Sequence, residues 1–137
     1  MKEINNETIY DLPIHDSVFL GMKISQNDYG ETELCLAITF CKGEFENLTE
    51  YSNVISPEGN SSLVFTNCEW ININTFCNRT QRDSVDYIEF RKDTPELKQH
   101  NVQKNKDHVE VVFVSGSKIE CIAKCVLLGQ GGRDGLK

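Results

Sequence analysis

The chain has 137 residues, 39% hydrophobic and 26% charged, with 21 acidic against 14 basic side chains and a formal charge of −7. That is the length of one ordinary domain, able to bury roughly two-thirds of the surface its unfolded chain exposes, and no apolar run approaches the roughly 20 residues of a membrane helix. The acidic balance excludes nucleic acid and anionic membranes as principal ligands, since both demand a basic footprint, and fits plain solubility or a basic protein partner.

The first residues, MKEINNETIYDL, are polar and acidic where a secretion signal would be basic and then apolar, so the chain is expected to remain in the cytoplasm. Leu12 to Ile24 (LPIHDSVFLGMKI) joins a compact polar turn, His15-Asp16-Ser17, to an alternating strand. Period-two patterning puts Val18, Leu20, Met22 and Ile24 on one face, with Ser17 and Lys23 opposite. Turn residues from Gln26 to Gly30 lead to a second strand, Glu31 to Cys41, which aligns Leu34, Leu36, Ile38 and Phe40. The two make a hairpin with one strongly apolar face. A loop through Lys42, Gly43 and Glu44 precedes a weaker extended segment, Leu48 to Ile55, and the cluster SPEGN at 56–60 turns the chain.

Ser62 to Ile73 (SLVFTNCEWINI) is a further strand region in which Asn67 falls on the face of Leu63 and Phe65, so a bulge or bend is expected near Asn67 and Glu69. Trp70 points away from Phe65 and Ile71 and reads as packing, or as a partner anchor if exposed. After a polar loop, Val85 to Lys92 alternates again. Thr94-Pro95-Glu96 has the form of a helix start, with Thr94 as N-cap and Pro95 at the first helical position, followed by no apolar stripe and hence by a short helix at most. His108 to Ser115 and Lys118 to Leu128 flank Gly116 as a last hairpin, with GQGGRDGLK beyond it.

The pattern predicts a mainly β fold of about six or seven strands, an antiparallel β-sandwich or a strongly curved, partly closed sheet. One domain spans 1–128 and a flexible Gly-rich tail spans 129–137.

Chemical motifs are scarce. The six cysteines, Cys35, Cys41, Cys68, Cys77, Cys121 and Cys125, contain no Cys-x-x-Cys pair and are expected to be reduced thiols. Cys121 and Cys125, on one predicted strand, would share a face about 13 Å apart, too far to bridge or to share a zinc ion. His15, Asp16 and Ser17 are the residue types of a hydrolytic triad, but consecutive residues cannot form its relay, and a turn in which Asp16 or Ser17 bonds nearby backbone is expected instead. His100 and His108 lack a third ligand, the carboxylate pairs lack a cleft, and the glycines form no phosphate loop. No catalytic, metal or cofactor site is expected, and the protein is read as a non-enzyme.

LPIHDS followed by an alternating strand, a turn and a second strand (Leu12 to Phe40) resembles small bacterial immunity proteins of contact-dependent inhibition and other polymorphic toxin systems. The resemblance covers about a fifth of the chain. It implies a cognate toxin domain, often a basic nuclease, that the immunity protein binds and blocks. Charge density singles out Glu44, Glu46 and Glu50 in one loop and Asp83, Asp86 and Glu89 around another strand as candidate contacts, with Trp70 as a possible anchor. Two alternatives remain open. A small-ligand or carbohydrate-binding β-domain would need a cavity around Trp70 and Phe76, and a hydrolase would need a cleft joining His15 to a distant acid.

Overall fold

The computed structural model describes residues 1–41, 43–74, 83–100 and 105–130. In chain order these form β1 (Lys2–Ile4), β2 (Val18–Gln26), β3 (Thr32–Thr39), β4 (Asn60–Thr66), β5 (Trp70–Asn74), β6 (Val85–Arg91), α1 (Pro95–Gln99), β7 (Asp107–Phe113), β8 (Lys118–Ala123) and β9 (Cys125–Gln130). All strand pairs are antiparallel, in one sheet of order β1-β9-β4-β3-β2 and another of order β5-β8-β7-β6.

The sheets share a bent ribbon. Chain 60–74 runs antiparallel to chain 118–130, β4 against β9 in the first sheet and β5 against β8 in the second. The ribbon bends where residues 67–69 oppose 123–124, with Asn67 at φ 48°. The irregularity expected at Asn67 is therefore a corner between sheets. Buried Lys106 fixes it, donating from Nζ to the Asn67 carbonyl at 3.2 Å and to Glu69 Oε1 at 2.5 Å. At the opposite side the edges of β2 and β6 meet in one bridge, Val18 to Ser84, and the sheets do not close into a barrel.

Inward-facing residues of both sheets make the core: Leu34, Leu36, Ile38, Leu63 and Phe65 from one, Val109, Val111, Phe113 and Ile119 from the other. The nine strands among the described residues exceed the expected six or seven because two predicted strands are each divided by the corner and because β1 pairs with β9. The Leu48–Ile55 segment is no strand. Leu48, Tyr51 and Val54 recur every third residue, and bonds from Tyr51 N to Leu48 O and from Val54 N to Tyr51 O wind the segment around a 3₁₀ turn, Thr49–Tyr51. Gly59 closes this loop at φ 92°, where a Cβ would lie 2.7 Å from the Phe40 carbonyl oxygen.

The face expected for β2 is also corrected. Phe19 pairs with Ile38 and Gly21 with Ala37, so Leu20 is the extra residue of a bulge. Phe19 turns inward to meet Phe113, ring centroids 5.0 Å apart, and Val18 turns out. Met22 and Ile24 stay on the face of Leu36 and Leu34 but at the sheet edge, 36% and 49% exposed. The corner likewise separates Cys121, which faces the core, from Cys125, opposite Thr66 on the outer face of the first sheet. The five described cysteines are free thiols, and Cys77, like Phe76, lies outside the described residues. Strand β9 continues through Gly129 and Gln130; the rest of the expected tail lies outside the described residues. No helix among the described residues is long and apolar enough to cross a membrane.

Candidate functional site

The turn before β2 is the meeting point of three distant segments. Asp16, at φ 69°, donates its N–H to Val85 O on β6 at 2.8 Å, while its carbonyl accepts from the Cys41 thiol at 3.2 Å. The Asp16 carboxylate turns outward to His15 Nε2 at 3.4 Å, and His15 Nδ1 lies 3.3 Å from Asp86 Oδ1 and 3.2 Å from the Asp86 carbonyl. His15 is thus held between two acids, and its pKa is raised by the Asp86 carbonyl bond first and the Asp16 charge next. It does lie beside an acid of a distant strand, but on an exposed surface. The expected side-chain turn does not form. Asp16 points to His15, and the buried Ser17 hydroxyl has no partner.

Further carboxylates extend this surface. Glu44 donates its N–H to the Cys41 carbonyl at 3.2 Å, and burial raises the Cys41 thiol, with the charges of Glu44 and Asp16 adding to the effect. Burial also raises the Tyr51 phenol, with Glu50 and Asp11 adding. Asp11, Asp16, Glu44, Glu46 and Glu50 are exposed and Asp86 is half-buried. Lys2 lies 3.8 Å from Glu50 Oε2.

The other candidates lie elsewhere. Asp83 accepts from the N–H of Ser84 and from the N–H and hydroxyl of Ser115, tying the start of β6 to the β7–β8 turn. Glu89 is on the outer face of the second sheet, 3.2 Å from Arg91. Trp70 packs there against His100 at 5.4 Å and edge-on against His108 at 5.6 Å. Of the candidates, Asp86 lies against His15, and Glu44 follows Cys41, whose thiol meets the Asp16 carbonyl. Glu46 is exposed in the same loop as Glu44, and Glu50 stands beside Lys2 of β1 at the other edge of the first sheet. Asp83 is tied to the β7–β8 turn, and Glu89 and Trp70 lie on the outer face of the second sheet.

A second cluster occupies that outer face. Glu89, Glu110 and Glu120 stand in register across β6, β7 and β8, three like charges side by side. Arg91 Nε at 3.4 Å and Lys118 Nζ at 3.9 Å approach Glu110, and Lys118 lies 3.3 Å from Glu120. His108, 1% exposed, spans Thr94 Oγ1 at 2.9 Å on Nδ1 and Glu120 Oε1 at 2.7 Å on Nε2. Burial works to raise the Glu120 carboxyl, but bonds from His108, Asn72 and Lys118 and the Lys118 charge together hold it below its usual range.

Thr94, His108 and Glu120 have the residue types of a nucleophilic relay, and Glu96, His108 and Glu120 place ligand atoms within 4.8 Å of one another. The relay is closed, while Glu96 Oε2, 4.0 Å from His108 Nδ1, is buried without a hydrogen-bond partner. Thr94 is buried and its hydroxyl caps α1 by accepting the Leu97 N–H at 3.3 Å, and both imidazole nitrogens already have side-chain partners. The arrangement pins the start of α1 to the sheet. Alternation carried a signal for it, since His108 and Glu110, and Lys118 and Glu120, project from the same face of the predicted hairpin.

No protein-family model matches the chain, and no curated protein matches it.

Proposed function

We propose that the chain is a non-catalytic cytoplasmic binding protein of the immunity type, which pairs with a basic toxin domain and blocks it. The observation that supports this reading is the gathering of carboxylates from separate segments, Asp16 before β2, Glu44 in the 41–59 loop and Asp86 on β6, about the exposed His15 turn. A rigid sandwich presenting like charges on one surface steers a basic partner and rejects an acidic one. Such a surface also takes the place that substrate phosphates would occupy on a nuclease. The LPIHDS resemblance points the same way, since its His15 and Asp16 lie on this surface.

The test is co-expression with the C-terminal domain of the toxin encoded beside this chain's gene. Rescue of growth and a co-purifying complex are expected, both lost with Asp16→Lys, Glu44→Lys and Asp86→Lys combined. A wild-type chain that neither rescues nor co-purifies contradicts the reading.

A further inference from the structure

The 41–59 loop encloses a hollow of about 330 Å³ between Phe45 and Pro57. Phe45, Leu48, Tyr51 and Ile55 contribute apolar surface, and exposed Glu46 stands at its margin. Successive turns hold these walls, with Leu48 N bonded to Phe45 O and Ile55 N to Tyr51 O. Its volume is at the bottom of the roughly 300–1,000 Å³ range of small-molecule pockets, and it is open to solvent, a size and form suited to one long side chain.

We infer that this hollow receives a single arginine side chain of the basic partner, an inference that rests on the proposed function and names its anchor. An arginine has an apolar stem that packs on Leu48 and Ile55, a planar guanidinium that stacks on an aromatic ring, and a fixed charge for Glu46. Its fork pairs with a carboxylate through two bonds, which the point charge of lysine does not match. The chain itself shows that this neighbourhood holds a cation: Lys2 Nζ sits 4.9 Å from the centroid of the Tyr51 ring and 3.8 Å from Glu50. Arginine is also among the residues that dominate binding energy at protein interfaces.

The probe is N-acetyl-arginine N-methylamide, titrated into the intact chain and followed by amide NMR, with the citrulline and norleucine amides as neutral counterparts. The arginine amide is expected to shift the resonances of Phe45, Leu48 and Ile55, to bind at least threefold more weakly to Glu46→Gln, and to outcompete both neutral amides. Equal binding of citrulline or norleucine, or the lack of shifts at these residues, overturns the inference. Leu48→Lys, which places a cation in the hollow from within, separates the two readings. Toxin binding intact in Leu48→Lys but lost in the Asp16, Glu44 and Asp86 reversal removes the arginine anchor and keeps the acidic interface. Selective arginine binding in a chain that binds no toxin does the reverse.

Discussion

His108 Nε2 bonds Glu120 Oε1 at 2.7 Å along a diagonal of the sheet, for the residue directly opposite Glu120 is Glu110. The diagonal bond gives Glu120 a donor on the β7 side, where the register alone would give it a like charge, while Asn72, opposite it on β5, donates at 3.2 Å from the other side.

Glu120→Gln keeps the shape and loses the charge, so it is expected to cost about 1–2 kcal/mol at neutral pH. The folded-state pKa of Glu120 lies below its usual 4.5, so the unfolded chain takes up the proton first. The stability it contributes is present above that usual value and drains away as pH falls through the folded one. Urea unfolding at pH 7 and at pH 4 should therefore show a smaller difference between wild type and variant at the lower pH. An undiminished difference would show that the charge of Glu120 is not what stabilises the fold.

His15 is bracketed by Asp86 and Asp16, and its pKa is raised from 6.5. A raised pKa contributes stability below the unfolded value that is lost as pH rises through the folded one. The imidazole proton resonances of His15 should titrate above 6.5, and Asp16→Asn should move that midpoint down. A midpoint indifferent to Asp16→Asn would separate the two side chains in solution.

The Ser17 hydroxyl is buried and unpartnered, and an unsatisfied polar group costs about 1–3 kcal/mol. Ser17→Ala is accordingly expected to be neutral or to stabilise by about 1 kcal/mol in thermal or chemical unfolding. Destabilisation by the variant would mean that the hydroxyl has a partner.

At Gly59, φ is 92° and an added Cβ would meet the Phe40 carbonyl oxygen at 2.7 Å and the Phe45 ring at 3.0 Å. Gly59→Ala should destabilise by about 1–3 kcal/mol, because backbone strain and overpacking act together. A chain as stable as wild type in denaturant would show that the 41–59 loop is free to shift.

What was legible in the sequence was local. Leu34, Leu36 and Ile38 alternate without interruption and face the core, Thr94-Pro95 marks the start of α1, and Asn67 out of parity marks the corner. Phe19 and Leu20 are both apolar, so either could have faced inward, and only the bulge opposite Ile38 and Ala37 decides between them. The three-residue spacing of Leu48, Tyr51 and Val54 was hidden by neighbouring polar residues that read as an extended segment. The burial of Glu110 and Glu120 depends on flanking strands and on α1, which brings Glu96 within 4.0 Å of His108. The acidic cluster was half legible: charge density singled out Glu44 and Asp86, but the Cys41–Asp16 and His15–Asp86 contacts that bring their segments together cross 25 and 71 residues of chain.

The most direct measurement of the proposed acidic interface is the association rate with a basic toxin domain, where one is encoded beside this chain's gene, followed by stopped flow from low to high salt. Steered association should be fast at low salt and slow by tenfold or more as salt screens the charges. Charge reversal at Asp16, Glu44 and Asp86 should remove both the speed and the salt dependence. A wild-type rate insensitive to salt and unchanged by the three reversals would contradict an acidic interface about the His15 turn.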